Sequence, residues 1–349
     1  MPFLISYCPN MHSNRRTFLK SAASGVVSAT AATLASTASV DAQPAAPRVG
    51  AFEMPRNMTL LNMRTANGPR LGVKLPKGIL DVAAAAARYK LPAPLDTDDL
   101  LQNGKGGMLA TVIAAAADGP ADLFRQESAV QHAPLVTRPE KIIMMGFNYR
   151  RHAAETGTPI PANPTLFNKF NNTLNHHGGT IALPTAAAKQ FDHEIELVIV
   201  FGRECRNVSE ADALGYVAGY CTGNDFSARD LQYLTSQFMI GKTFDGFAPL
   251  GPHLVTSDLV GDPNNLRLEC RVNGEQRQDW NTNDMIFNCR QLISFASRMM
   301  TIKPGDILFT GTPHGVIFGK PKDQQVWLKP GDRVVCSVEK LGELAFSLA

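Results

Sequence analysis

Three things are scarce in this 349-residue chain: net charge, cysteines at a metal- or redox-type spacing, and any long leucine-rich run. The formal charge is only +3. Residues 1–42 carry +2 of it (Arg15, Arg16 and Lys20 against Asp41), so the remainder is near +1 and offers no basic face for nucleic acid. The six cysteines include no Cys-x-x-Cys pair. Cys8 stands apart, and Cys205, Cys221, Cys270, Cys289 and Cys336 make an odd set that reads as buried free thiols, although an oxidising compartment would allow a disulfide. The one uncharged stretch, residues 21–40, is rich in Ala, Ser, Thr and Gly, and it inserts into a bilayer weakly beside a leucine-rich span. No repeat or low-complexity tract occurs outside it. What is present, 44% hydrophobic and 19% charged residues, suits a folded protein with one large core or two moderate ones.

The first 42 residues read as a segment outside the fold. Paired arginines precede Phe18-Leu19-Lys20, the uncharged stretch follows, and Val40-Asp41-Ala42 supplies a small-residue cleavage site. This resembles a twin-arginine export signal, which implies recognition by the twin-arginine export machinery, passage of an already folded protein and a periplasmic location. Residues 1–10 carry none of these features, so Met11 is an alternative start.

Beyond a Pro/Ala-rich joint, residues 43–135 read as a small amino-terminal α/β domain. Strands are expected at 58–64 and 70–74, and Ala-rich helices at 80–89 and 107–117. A linker at 134–139 leads into a larger region, 140–349, with strands expected at 141–145, 194–201, 217–222, 266–272, 306–310 and 333–338. Asn273-Gly274, Pro304-Gly305 and Pro330-Gly331 mark turns, and helices are expected at 209–213 and 289–300. The fold class is therefore α+β, β-rich, with a small amino-terminal appendage.

The chemistry concentrates in a few segments. In FDHEIELVIVFGR, Glu194 and Glu196 share one face of an expected strand with Val198 and Val200, while Ile195, Leu197, Ile199 and Phe201 share the other. A strand apolar on both faces is buried, and an unpaired carboxylate there is expensive, so a positive charge is expected beside the pair. If the next apolar strand is its neighbour, Asp225 joins the glutamates. Three carboxylates suit magnesium, manganese or calcium and suit zinc poorly. Glu-x-Glu alone also occurs on exposed strand faces. Upstream, Tyr149, His152 and Glu155 recur at three-residue intervals and share a side if the segment is helical. A histidine backed by a carboxylate is a candidate base, and the bland alternative is a surface pair. Lys242 lies in a Gly-flanked segment, and Thr310-Gly311-Thr312-Pro313-His314-Gly315 is a small-residue loop. His176 and His177 read as solvated turn residues, and His193, facing away from the glutamates, as structural.

Taken in order, GFNYRRHAAETG, DHEIELVIVFGR, GYCTGNDFSARDLQ, GKTFDGFAPLGP, VNGEQRQDWNTNDMIF, PGDILFTGTPHGVIFG and LKPGDRV resemble the fumarylacetoacetate hydrolase family, in its acylpyruvate hydrolase and hydratase-like branch. The resemblance implies that family's mixed β-roll and a dimer. It also implies a divalent metal on Glu194, Glu196 and Asp225, a water-activating pair His152 and Glu155 on a mobile lid, and Lys242 on substrate oxygens. Tyr149, Arg229, Gln232 and Thr312 would contact the substrate. Arg150 and Arg151 depart from the smaller or acidic residues common before the lid histidine, Phe238 stands where Trp is frequent, and no proline follows Lys169. The activity implied is metal-dependent hydrolysis of a carbon–carbon bond in a β-diketo acid of the acylpyruvate or fumarylpyruvate type. Hydration, decarboxylation or tautomerisation of a related 2-oxo acid, and a non-catalytic periplasmic binding role, are the alternatives.

Overall fold

The computed structural model describes residues 52–349. They belong to one unit. Its spine is an eleven-stranded mixed sheet. From one edge it runs through Phe124–Arg125, Gly78–Asp81, Gly68–Leu75 and Thr59–Thr65, then Ala248–Thr256, Val217–Asn224, Ile195–Phe201, Ile307–Phe309 and Ile142–Gly146, and ends at Thr165–Lys169. Leu174–His176 pairs alongside Ala248–Thr256 in parallel. A second sheet of five strands is ordered Glu275–Asn281, Arg267–Val272, Arg333–Val338, Gly342–Leu348 and Gly179–Ile181.

Alternation along Ile195–Phe201 divides the core. Ile195, Leu197, Ile199 and Phe201 pack with Leu268, Val334, Phe346 and Leu292 from the second sheet and the helix Cys289–Met299. Val198 and Val200 point the other way, into a cluster with Leu60, Leu71, Leu250 and the helices Val82–Tyr89 and Gly106–Ala116. Two of these helices are capped by side chains at their starts. Asp81 caps the first, accepting from Ala84 N, and Asn288 with Gln291 forms a reciprocal capping box for Cys289–Met299.

The expected segment 80–89 splits into a strand, Gly78–Asp81, and the helix that Asp81 caps. No α-helix forms at 209–213; Ser209 Oγ and Asp212 Oδ2 close a turn at 2.7 Å, and Ala213–Tyr216 makes one tight 3₁₀ turn before the strand at Val217 leaves no room for more.

Candidate active site

The carboxylates meet because of strand register. Ile195–Phe201 and Val217–Asn224 pair antiparallel, with Ile195 opposite Asn224 and Glu196 opposite Gly223. The next pair outward is Glu194 and Asp225, and Asp225 N donates to the Glu194 carbonyl at 2.8 Å. Glu196 follows two residues on, along the same face. One oxygen from each of Glu194, Glu196 and Asp225 lies within 4.8 Å of the others, and all three side chains are buried.

Cations surround this cluster. Lys242 Nζ donates to Glu194 Oε2 at 2.6 Å and to Asp225 Oδ2 at 2.7 Å. Arg229 donates to Glu194 Oε1 at 2.6 Å, to Asp192 Oδ2 at 2.9 Å and to Gln232 Oε1 at 2.9 Å. Burial pushes the Glu194 carboxyl up, but Arg229 and Lys242 outweigh it and hold the group well below the usual carboxylate range. Glu196 has less relief. Burial first, then the charges of Asp225 and Glu194, push it well above its ordinary value, against one hydrogen bond from Gly311 N at 2.7 Å. Lys169 Nζ pairs with Asp225 Oδ1 at 2.7 Å and also donates to the carbonyls of Phe226 and Phe247. An all-oxygen donor set of three converging carboxylates, of which Glu196 accepts only the one hydrogen bond, fits a hard dication such as magnesium, manganese or calcium.

The strand Ile142–Gly146 leads into the segment that carries His152 and Glu155. It runs parallel to Ile307–Phe309, and after Gly146 the chain turns at Phe147 with φ of 54° into the helix Arg150–Glu155. Asn148 fixes the turn: its amide donates to the carbonyls of Phe287 and Thr310 at 3.0 and 2.7 Å. His152 Nδ1 lies 2.8 Å from Glu155 Oε1, and Glu155 Oε2 accepts from Gly315 N at 2.9 Å. Gly311 is required here, since it combines a φ of 97° with a position where a Cβ would come 2.7 Å from the Asn148 Cβ.

His152, Glu194, Glu196, Asp225, Arg229, Gln232, Lys242 and Thr312 line one small cavity, with Phe147, Phe167, Phe238 and Phe318. Glu155 supports His152 from behind. Tyr149, by contrast, is outside that lining: its side chain is fully buried in the core beneath the site, and burial, followed by Glu196 nearby, pushes its phenol well above the ordinary value. Thr312 Oγ1 accepts from Gln278 Nε2 at 2.9 Å. Three residues missed from sequence belong here. Lys169 is a buried lysine at the end of a strand, lowered to about 8 by burial. Asp192 tethers Arg229 and accepts from Ile317 N and Phe318 N at 2.9 and 3.0 Å. Gln278 links His193 at 3.1 Å to Thr312. A charged residue at the end of an apolar strand was the available signal for Lys169. His176 and His177 are half-buried within a histidine group rather than solvated, as His177 packs edge-on against His132 at 4.9 Å between ring centroids.

Residues 141–349 match the sequence profile of the family described as Fumarylacetoacetate (FAA) hydrolase C-terminal. The chain belongs to the fumarylacetoacetate hydrolase family. It is 39% identical over 298 residues to the mitochondrial oxaloacetate tautomerase FAHD2A of Bos taurus, covering 83% of this chain and 91% of that protein. Its counterpart in Homo sapiens is 38% identical over 296 residues, covering 83% and 91%. Among solved structures, the maleylpyruvate hydrolase of Sphingobium sp. SYK-6, in complex with manganese(II) and pyruvate, superposes with a TM-score of 0.68 at 30% identity, covering 84% of this chain and 99% of that one. The protein is thus an enzyme of this family, with the family's mixed α+β fold and a carboxylate triad able to hold a metal.

One expectation is corrected. The relatives in cattle, rat and human are named as mitochondrial proteins, which overturns the periplasmic location and twin-arginine export expected from residues 1–42, a segment outside the described residues. The physical reason is composition: basic, Ser- and Ala-rich, acid-poor leaders are common to bacterial export signals and mitochondrial targeting segments.

Proposed function

We propose that this enzyme interconverts the keto and enol forms of a small 2-oxo dicarboxylic acid of the oxaloacetate type. Glu194, Glu196 and Asp225 would hold a magnesium, manganese or calcium ion. When bound, the ion supplies positive charge where the 2-oxo oxygen becomes anionic. The observation that carries the reading is the lid histidine, oriented by Glu155, facing a small cation-rich cavity above the carboxylates.

In neutral His152, Nδ1–H donates to the Glu155 carboxylate, which leaves Nε2 as the basic nitrogen. Nε2 takes a proton from the carbon beside the 2-oxo group, and the same proton can return to oxygen or carbon. No water is consumed. Lys242 and Arg229 sit where they can bind substrate carboxylates, and Gln232 orients the guanidinium through its 2.9 Å bond. The names of the relatives in cattle and human support this reading. A second reading, cleavage of an acylpyruvate carbon–carbon bond, is favoured by the same His152–Glu155 pair, which could instead deprotonate a water molecule, and by the likeness to maleylpyruvate hydrolase.

The test is to load the purified protein with magnesium or manganese and follow decay of oxaloacetate enol absorbance beside product analysis on a panel of acylpyruvates. Acceleration of enol decay, lost by about 10²–10⁴ in His152→Ala, supports tautomerisation. Acylpyruvate cleavage without enol acceleration moves the assignment to the hydrolase, and neither activity defeats both.

A further inference from the structure

The helix that carries His152 and Glu155 has only six residues, Arg150–Glu155. A helix that short does not hold itself in water, so its order depends on what grips it. Its first turn is also adverse, because two arginines stand at the positive end of the helix dipole. Neighbours answer both difficulties. Arg150 Nη1 donates to the carbonyls of Asp284 and Met285 at 3.0 and 2.7 Å, and the Asp284 carboxylate accepts from Arg151 N at 3.1 Å. The Arg151 guanidinium lies over the Trp280 ring, 3.8 Å from its centroid, and Trp280 is wedged edge-on against His314 at 4.8 Å. The far end of the helix is held by the Glu155 contact to Gly315 N, after which Gly157, with φ of 65°, redirects the chain. Phe147 on one side and Gly157 on the other are thus two left-handed residues flanking the helix.

We propose that Arg151 and Trp280 are positioning residues whose stack latches this helix over the carboxylate cluster, and so sets how much of the enzyme holds His152 in place. The proposal rests on the reaction assigned above, but neither residue belongs to the cavity lining, so neither is placed to touch substrate. Arg151 is itself exposed, and the stack is the outer clasp of the lid. Removing it favours the open helix without altering the groups beneath.

The test is amide hydrogen exchange on the full-length, magnesium-loaded protein without substrate, comparing Arg151→Met, Arg151→Lys, Trp280→Leu and the Arg151→Met/Trp280→Leu double variant. Each apolar single variant should speed exchange across residues 150–157 by about two- to fivefold, the population shift that one stacked cation carries. The strand Ile195–Phe201 should exchange as before, which separates the effect from misfolding. Arg151→Lys should restore most of the protection, and the double variant should exceed neither single one, because the two residues form one contact. With oxaloacetate, KM should rise by the same factor with little change in kcat. Unchanged exchange in 150–157, or effects of the two singles that simply multiply in the double, overturns the latch. If exchange and coupling behave as stated while no variant, nor the parent, turns over oxaloacetate, the latch is supported and the reaction assigned above fails.

Discussion

Glu196 and Asp192 are both buried carboxylates in the same strand region, and they should fail differently. Asp192 is fully committed: it accepts from Arg229 and from three backbone N–H groups, those of His193, Ile317 and Phe318, so it is part of the architecture. Asp192→Ala removes one of the two carboxylates that hold the Arg229 guanidinium and leaves three amides without their acceptor, and each buried group left unsatisfied costs about 1–3 kcal/mol. Denaturant unfolding should report that loss even without metal, and a variant of parental stability would remove the assigned tether. Glu196 has one hydrogen bond and two carboxylate neighbours that repel it, so Glu196→Gln should leave the metal-free protein as stable or slightly more so. Calorimetric titration with manganese should then show binding weakened by about tenfold or more, since a hard cation loses one of its anionic oxygens. Binding unchanged by Glu196→Gln would take Glu196 out of the ligand set. This difference was half legible. Alternation and apolar company single out Glu194 and Glu196, and Asp225 follows from a strand ending beside them. That Lys242 and Arg229 already pair with Glu194 depends on contacts 48 and 35 residues apart, which no local pattern carries.

At the scale of elements, strands with uninterrupted apolar runs were readable, and the central strand Ala248–Thr256 was not. Its sequence, APLGPHLVT, contains two prolines and a glycine, which signal a turn. The strand tolerates them because the pairing slips between Tyr220 and Thr222, so that Pro252 falls where the ladder is irregular. The same strand carries His253 into a group with His132, from the segment after Phe124–Arg125, and with His176 and His177. Burial first, then neighbouring histidines, lowers His132 to about 4, and burial with the Lys74 charge lowers His253 to about 4. Glu127, 3.1 Å from His253 Nε2, pulls the other way, as Glu343 does on His177; Arg64 beside His176 and Arg333 beside His177 add to the lowering. In the fold these rings stay neutral below the ordinary value of 6.5, while in the unfolded chain they charge. Their contribution is therefore intact above pH 6.5 and is lost as pH falls from 6.5 towards 4. Each ring accounts for up to about 1.4 kcal/mol per pH unit in that window. Melting temperatures measured from pH 7.5 to about 4.5 should fall more gently in His132→Gln/His253→Gln than in the parent. Parallel profiles would exclude the group as the source of acid sensitivity.

For the whole molecule, the question is whether the region before residue 136 is an appendage. As sequence it reads as a separate module, because its strands are short and its helices Ala-rich. In the fold, Thr59–Thr65 pairs with Ala248–Thr256, and the long sheet runs through both regions without a break. The core tells the same story: Leu60, Leu71 and Leu109 share a cluster with Val198, Leu250, Leu254 and Phe309. Val198 lies in the strand that presents Glu196, and Phe309 in the strand that leads to Gly311, so the floor of the site rests on packing supplied from before residue 136. A fragment comprising residues 136–349 would expose Leu250 and Leu254 and leave Ala248–Thr256 without its neighbour, an open apolar edge of the kind that aggregates. The intact protein should therefore melt in a single cooperative transition, and this fragment, expressed alone, should be insoluble or lose manganese binding. A soluble 136–349 fragment that binds manganese as tightly as the full chain would show that the carboxylate site is built by the later residues alone, and that the earlier strands serve something other than its support.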